Sequence, residues 1–193
     1  MFEVDTLVAS CRESLLDGEP RRVVREILVR TLERPGPVAE RLGRSEGGLE
    51  VLFNSPQLTV LNVVWAPRMS LYPHDHRMWA VIGIYGGAED NTLFRRGPQG
   101  LVKSGAKVLR EGEVLSLGAD AIHTVDNSMA RFTGAIHVYG GDFVRQPRSQ
   151  WDPVTLQEQP YDPAQVRRVF DKANASWAEE VSTLAPGDSA DPG

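Results

Sequence analysis

Between residues 48 and 141 the sequence alternates short apolar runs with residues that favour turns. The runs are rich in Val, Ile, Leu and aromatic residues, and Gly, Pro, Asn and Asp separate them. About eight such runs occur, at positions 49–53, 58–65, 79–85, 91–95, 107–109, 114–117, 123–126 and 133–139. This spacing predicts an antiparallel sandwich or barrel and argues against an alternation of strands and helices.

Helical periodicity is confined to the two ends of the chain. Apolar residues recur at helical intervals in 21–32 and, more loosely, in 7–16, and 38–42 has room for one more short turn. The Pro-Gly-Pro sequence at 35–37 is expected to break the chain. Near the other end, Asp162-Pro163 predicts the start of a helix that lies against the outside of the barrel.

These patterns divide the chain into four parts around a single β core. We predict an N-terminal helical segment at 1–47, the barrel at 48–150, and a C-terminal extension with a helix at 151–184. The tail at 185–193 is rich in Pro, Gly, Asp and Ser and is expected to be disordered. A length of 193 residues suits one domain with a substantial core.

The charge of the chain limits the classes of partner. Its formal net charge is −5, whereas proteins that bind nucleic acid or anionic lipid usually carry a basic face. We therefore expect no nucleic-acid or membrane partner, and a cytoplasmic monomer or homodimer that acts on a small molecule. Cys11 is the single cysteine, so the sequence can form no intramolecular disulfide.

All four histidines fall within the predicted β region. His74 and His76 are separated by one residue, so on an extended strand both point to one face, about 7 Å apart, with Asp75 pointing away. Imidazoles placed in this way can hold one metal ion. His123 follows a glycine turn, an apolar strand and a tight loop, and a neighbouring strand can thus supply a third imidazole. A surface or hydrogen-bonding role for the His-x-His pair is the alternative interpretation.

The segment around His123 resembles the second half of the cupin motif. Gly112, His123 and Asn127 stand at the family spacing, with Gly118 and Asp120 in place of the usual Pro and Gly. The resemblance implies a cupin double-stranded β-helix, a jelly-roll barrel, with N-terminal helices and a C-terminal helix. It also implies that His123 is a metal ligand.

The segment around His74 and His76 resembles the first half of the same motif. The two histidines and Gly87 match it, but Ala80 or Val81 stands where cupins carry a glutamate ligand. The resemblance implies a metal held by His74, His76 and His123 without a carboxylate. That ligand set is similar to the one in thiol dioxygenases, including cysteine dioxygenase.

Further residues resemble the thiol dioxygenases. Trp65 lies nine residues before His74, and 87–94 ends in Thr-Leu-Phe, as in that group. The sequence Ile-His-Val-Tyr at 136–139, followed by Phe143, is similar to the group's His-x-Tyr segment. The resemblance implies a mononuclear Fe(II) dioxygenase that converts a small thiol to a sulfinate with O2.

The alternation of strand side chains independently places His137 and Tyr139 on one face, which we expect to point into the barrel. In the implied site, Tyr139 can hydrogen-bond dioxygen or substrate, with His137 orienting it. A buried core histidine and a tyrosine at the rim of the barrel are the alternatives.

The chain departs from the family in the residues that would contact substrate. Ala135 replaces the family's Ser before the His-Tyr pair, and 50–54 lacks the arginine that binds an amino-acid carboxylate in animal cysteine dioxygenases. Six other arginines are candidates for that role: Arg68, Arg77, Arg95, Arg96, Arg145 and Arg148. Of these we select Arg77, together with Tyr72 on the ligand face, as predicted substrate-binding residues.

The spacing of the histidines does not select the metal. Fe(2+) is the cofactor that the resemblance implies, while Ni, Mn, Zn and Cu are also compatible with imidazole ligands. Two other functional classes stay open. One is a metal-dependent cupin oxygenase or isomerase acting on a small molecule without sulfur, and the other is a non-enzymatic barrel that binds a small ligand.

Overall fold

The computed structural model of the chain describes residues 1–98 and 100–184. Within them, eleven strands form two antiparallel sheets whose inner faces share one apolar cluster. This confirms the predicted jelly-roll β core with helices at both ends. The tail at 185–193, predicted to be disordered, lies outside the described residues. Among the described residues no helix is both long enough and apolar enough to cross a membrane.

The two sheets are built from strands that are distant in sequence. In chain order the strands are β1 Gly48–Asn54, β2 Thr59–Trp65, β3 Ser70–Asp75, β4 Ala80–Gly86, β5 Ala88–Gly97, β6 Gly100–Arg110, β7 Val114–Leu117, β8 Ile122–Asp126, β9 Thr133–Tyr139, β10 Ser149–Trp151 and β11 Glu158–Pro160. One sheet has the order β1-β2-β9-β4-β7 and the other β11-β10-β3-β8-β5-β6. The central strands of both sheets therefore face each other across the core.

The central strands of the five-stranded sheet are buried on both faces. In β9, Ala135 and Tyr139 join the cluster between the sheets, whereas Ile136 and Val138 pack in a second cluster with the N-terminal helices. This pattern confirms the predicted alternation along β9 and directs Tyr139 into the barrel.

The N-terminal helices cover the outer face of this sheet. They are α1 Val4–Glu13, a 3-10 turn at Ser14–Leu16, α2 Pro20–Leu32 and α3 Pro35–Leu42. The expectation that 35–37 breaks the chain was wrong, because α3 begins at Pro35 itself. Proline is tolerated in the first turn of a helix, where its missing N–H would have no partner.

The C-terminal helix α4 spans Pro163–Leu184 and begins where the sequence predicted, with Asp162 Oδ1 accepting the N–H of Ala164 at 2.9 Å. Val166 and Phe170 belong to the cluster between the sheets, and the Phe170 ring stacks on Trp65 with centroids 5.4 Å apart. The other residues of the helix are exposed or half-buried, so the helix lies against the outside of the barrel as predicted.

Several strands lack a clear sequence signal. We predicted no strand at β3, which contains Pro73 and two charged or titratable side chains, and none at β10 or β11. Pairing compensates for the weak local preference, since β3 lies between β8 and β10 in the sheet. The mispredicted β3 is the strand that carries the His74 side chain.

Candidate metal centre

The structure brings His74, His76 and His123 together inside the barrel. One ring nitrogen from each lies within 4.8 Å of the others. His74 in β3 and His123 in β8 are direct cross-strand partners. His76 is the residue directly after β3, so its ring lies at the end of that strand. Both segments that resembled the cupin motif thus contribute to one cluster.

The three imidazoles are buried and close-packed. Their ring centroids are 4.6 to 5.1 Å apart, and no ring is more than 6 % exposed. The Nε2 atoms of His76 and His123 are separated by 3.4 Å. Nitrogen ligands bound at about 2.1 Å to one tetrahedral metal ion are separated by about the same distance.

The outer nitrogens of two rings have partners that orient them. His74 Nδ1 lies 3.0 Å from the backbone oxygen of Tyr72, and His123 Nδ1 lies 2.6 Å from Asn91 Oδ1. Both partners accept hydrogen bonds, so each Nδ1 carries the proton and each Nε2 presents a lone pair. His76 Nδ1 is buried without a hydrogen-bond partner.

Burial keeps these imidazoles neutral. It lowers the pKa of His74 to about 4. For His76 and His123, burial and then the neighbouring imidazoles lower the pKa well below the usual value. Neutral rings with converging lone pairs are the form that binds a divalent metal, so the residues present fit such an ion. Imidazole nitrogens alone do not distinguish Fe from Zn, Ni or Cu.

No carboxylate belongs to the described metal-binding cluster. Ala80 points into the barrel, where its register partner is Tyr139, and Val81 packs with the helices outside. Neither side chain can replace a glutamate ligand. The sequence-based expectation of a three-histidine set without an acidic member therefore agrees with the geometry.

His137 and Tyr139 lie on the opposite wall of the barrel from the three imidazoles. His137 Nδ1 is 2.9 Å from the Tyr139 hydroxyl oxygen, and both side chains are buried. The Tyr139 ring is 5.0 Å from the ring of His76, centroid to centroid. Burial raises the pKa of Tyr139, so its hydroxyl keeps its proton at neutral pH. The predicted pair thus forms and lies beside the cluster.

Sequence reasoning missed a buried carboxylate, Glu89 in β5, which is 0 % exposed. Its Oε2 accepts the indole N–H of Trp65 at 2.8 Å, and its Oε1 accepts an amide N–H of Asn91 at 2.9 Å. Burial opposes ionisation, but His137, Asn91 and Trp65 outweigh it and lower the pKa of Glu89. The available signal was the alternation along β5, which puts Glu89 and Asn91 on one face.

Arg148 also lies near the centre, although sequence reasoning did not distinguish it from the other candidate arginines. Its guanidinium carbon lies 3.9 Å from the centroid of the Phe143 ring and 3.7 Å from that of Tyr161. Phe143 in turn stacks on Tyr139, with centroids 4.2 Å apart. The Nε of Arg148 is buried without a hydrogen-bond partner. The half-buried guanidinium of Arg148 is therefore in contact with the Phe143 ring, which in turn contacts Tyr139.

Arg77 and Tyr72, the two predicted substrate-binding residues, are both bonded to other protein groups. Arg77 Nε lies 2.6 Å from Asp75 Oδ2, and Arg77 also pairs with Glu158, so carboxylates already occupy its guanidinium. The Tyr72 hydroxyl donates to Gln150 Oε1 at 3.1 Å. Arg148, not Arg77, is thus the arginine whose position suits an anion near the centre.

No family model matches the sequence. Several solved structures show partial similarity. A cupin superfamily protein from Desulfitobacterium hafniense is 19% identical, with 57% of this chain and 93% of that chain covered and a TM-score of 0.45. An RmlC-like cupin family protein with a double-stranded β-helix fold from Methanocaldococcus jannaschii is 14% identical, with coverages of 52% and 85% and a TM-score of 0.42.

The DMSP lyase DddQ from Ruegeria pomeroyi is 16% identical, with 56% of this chain and 53% of that chain covered and a TM-score of 0.45. In each of these three comparisons the matched region covers between 52% and 57% of this chain. The fold of this chain is therefore described by its own strand order and the shared inner cluster.

Proposed function

We propose that the protein is a mononuclear non-haem Fe(II) dioxygenase that adds both atoms of O2 to the sulfur of a small thiol carboxylate, giving a sulfinate. The observation that carries this proposal is the buried cluster of three neutral imidazoles without a carboxylate, beside the hydrogen-bonded His137–Tyr139 pair. The resemblance of 87–94 and of the His-x-Tyr segment at 136–139 to thiol dioxygenases agrees with it.

The charge of the ligand set favours an anionic sulfur ligand. Three neutral imidazoles leave the charge of a divalent ion without a balancing ligand, and a nearby cation favours the thiolate form of a thiol. Sulfur loses four electrons in becoming a sulfinate and O2 takes up four, so RS⁻ and O2 give RSO2⁻ without another reductant. When bound, Fe(II) supplies this oxygen chemistry.

The side chains around the cluster support three roles for the protein. The Tyr139 hydroxyl is placed to hydrogen-bond the substrate, and His137 orients that hydroxyl from Nδ1. The stacked rings of Tyr139 and Phe143 exclude water from one side of the site. His74 and His123 hold their protons on Nδ1, so no proton on the Nε2 of either ring blocks a ligand position.

Arg148 supports a carboxylate on the substrate. Its positive charge is close enough to lower the pKa of His74 and His76, although burial is the larger cause in both. The Nε of Arg148 is buried without a partner in the protein, while Nη1 donates to the backbone oxygen of Phe143. Charge-assisted bonds from a guanidinium are the usual means of holding a carboxylate. A thiol carboxylate could then be held at both ends.

The test is metal analysis of anaerobically purified protein, followed by O2 uptake with 3-mercaptopropionate, cysteine and cysteamine. We expect about one iron per chain and uptake that is fastest with a thiol that carries a carboxylate. Mass spectrometry after reaction under 18O2 should show two labelled oxygens in the sulfinate. Reactions with free Fe(II) and with metal-free protein are the controls.

Two results would contradict the proposal. Iron-loaded protein that leaves all three thiols unoxidised would exclude thiol oxygenation and favour a cupin enzyme for a substrate without sulfur. Protein that binds no divalent metal would favour a barrel that binds a small ligand without turnover.

A further inference from the structure

Glu89 is a buried carboxylate that lies between the metal-binding imidazoles and the His137–Tyr139 pair. Its side chain makes two hydrogen bonds, from Trp65 Nε1 to Oε2 and from Asn91 Nδ2 to Oε1. Oε2 also lies 3.8 Å from the Nε2 of His137, within range of an electrostatic interaction but too long for a hydrogen bond. The carboxylate therefore faces both groups of residues in the site.

The first branch runs from Glu89 through Asn91 to His123. An ionised carboxylate only accepts hydrogen bonds, so it fixes the amide of Asn91 with Nδ2 towards Glu89. The oxygen of that amide then faces His123 Nδ1 at 2.6 Å. Because Oδ1 only accepts, His123 must be protonated on Nδ1 and unprotonated on Nε2. The orientation of one amide thus sets the tautomer of a metal-binding ring.

The second branch runs from Glu89 to His137. His137 Nε2 is buried without a hydrogen-bond partner, and the nearby Glu89 oxygen makes a lone pair on Nε2 unfavourable. The Nε2–H tautomer is favoured for this reason, and His137 Nδ1 then accepts from the Tyr139 hydroxyl at 2.9 Å. The same carboxylate determines which way the hydroxyl hydrogen of Tyr139 points.

We propose that Glu89 is a positioning residue whose carboxylate fixes opposite tautomers in two histidines, Nδ1–H in His123 and Nε2–H in His137. It prepares His123 to bind metal, and it turns the Tyr139 hydrogen to His137, so that the hydroxyl oxygen is left to accept a hydrogen bond in the site. It also places one negative charge inside the barrel, where a bound divalent cation can balance it. The inference rests on the metal site of the proposed function, but it does not depend on a thiol substrate.

Glu89→Gln tests the first branch with almost no change in shape. The amide oxygen of the new side chain must accept from Trp65, which can only donate, so its NH2 group faces Asn91. Asn91 must then reverse and present Nδ2 to His123, which moves the imidazole proton to Nε2. A proton on Nε2 blocks the metal, and we expect the affinity for Co²⁺ to fall by about 10- to 100-fold.

The double variant Glu89→Gln/Asn91→Asp should reverse that loss. The new carboxylate at position 91 accepts from the amide introduced at position 89 and from His123 Nδ1, and so restores the original tautomer. If Glu89 had a purely structural role, the additional substitution Asn91→Asp would not be expected to restore the affinity for Co²⁺. Glu111→Gln changes an exposed carboxylate in a turn and serves as the matched control.

Two readouts decide the proposal. The first is Co²⁺ affinity of the metal-free proteins, measured by competition with a chelator. The second is the tautomer of each histidine in the metal-free protein, measured from imidazole 15N chemical shifts. We expect His123 to carry its proton on Nδ1 in the wild type and on Nε2 in Glu89→Gln, and His137 to carry it on Nε2 in the wild type.

Unchanged Co²⁺ affinity in Glu89→Gln, or an Nε2–H tautomer of His123 in the wild type, would overturn the role of Glu89. The wild-type tautomers decide the question even if the variant does not fold. Wild-type protein that binds no Co²⁺ would instead overturn the proposed function, and the same 15N shifts would still report on Glu89.

Discussion

His76 and His123 meet through their Nε2 atoms, which lie 3.4 Å apart in a space closed to solvent. Neither ring carries a positive charge at neutral pH, because burial lowers both pKa values well below the usual value. In His123 the proton is held on Nδ1 by the Asn91 oxygen, so its Nε2 offers a lone pair to the shared space. In the metal-free protein His76 Nε2 can donate a hydrogen bond to that lone pair, and an ion in this space would replace the bond.

The first prediction concerns the ligands. Replacing His74, His76 or His123 by Ala should reduce bound metal from about one ion per chain to none, since two imidazoles rarely retain a divalent ion. Metal content by mass spectrometry measures this. His137→Gln, changed beside the cluster but outside it, should keep its metal. A His→Ala variant that retains full stoichiometry would remove that residue from the ligand set.

The second prediction concerns the hydroxyl of Tyr139. Tyr139→Phe should keep the metal and the fold but lower kcat by about 2- to 10-fold, the value of one neutral hydrogen bond. Single-turnover kinetics with the thiol substrate measures this effect. Tyr85→Phe removes a hydroxyl that bonds to Leu42 and Asn62 away from the cluster and should leave kcat unchanged. Equal kinetics in both variants would make Tyr139 a packing residue.

The third prediction separates charge recognition from turnover. Arg148→Gln should raise KM for 3-mercaptopropionate by about 10- to 100-fold, because a charged hydrogen bond to the carboxylate is lost. KM for cysteamine, which has no carboxylate, should change little. Arg145→Gln is the control, because its side chain is 86% exposed. An equal rise in KM for both thiols would mean that Arg148 only supports the stack with Phe143 and Tyr161.

The fourth prediction concerns Cys11, which is fully buried in α1. Burial raises the pKa of its thiol from 9.0 to about 12. Above pH 9 the unfolded chain therefore releases a proton that the folded chain retains, and the free energy of unfolding decreases as pH rises. The contribution of Cys11 to that loss should reach about 1.4 kcal/mol at pH 10.

Urea unfolding at pH 8 and pH 10 tests this value in the wild type and in Cys11→Ala. The decrease between the two pH values should be smaller in the variant, which has no thiol to ionise. The native thiol should also resist alkylation at pH 8 until urea is added. Rapid alkylation of the folded protein would show that the thiol is accessible.

The sequence predicted much of the core because alternation and turns are local signals. The apolar alternation of β9 placed Tyr139 on the inner face, and the β-structure was confirmed. β3 was missed because its stability comes from pairing with β8 and β10, which no local pattern encodes. Its histidines were nevertheless identified, since metal-binding spacing is a signal independent of strand propensity.

The roles of Glu89 and Arg148 could not be predicted in the same way. Glu89 becomes informative only when Trp65, Asn91 and His137 surround it, and these come from different strands. Arg148 differs from the exposed arginines through its stacking on Phe143 and Tyr161. Both roles depend on distances between elements, which the sequence alone does not provide.

The histidine cluster belongs to β3, the residue after it and β8, all on the six-stranded side, whereas Tyr139 belongs to β9 in the five-stranded sheet. The distance between the Tyr139 hydroxyl and the imidazoles therefore depends on the separation of the two sheets. Leu61 and Ile82, which pack in the cluster between the sheets, help to set that separation. Trimming them should change the turnover of the proposed enzyme while leaving the retention of metal intact.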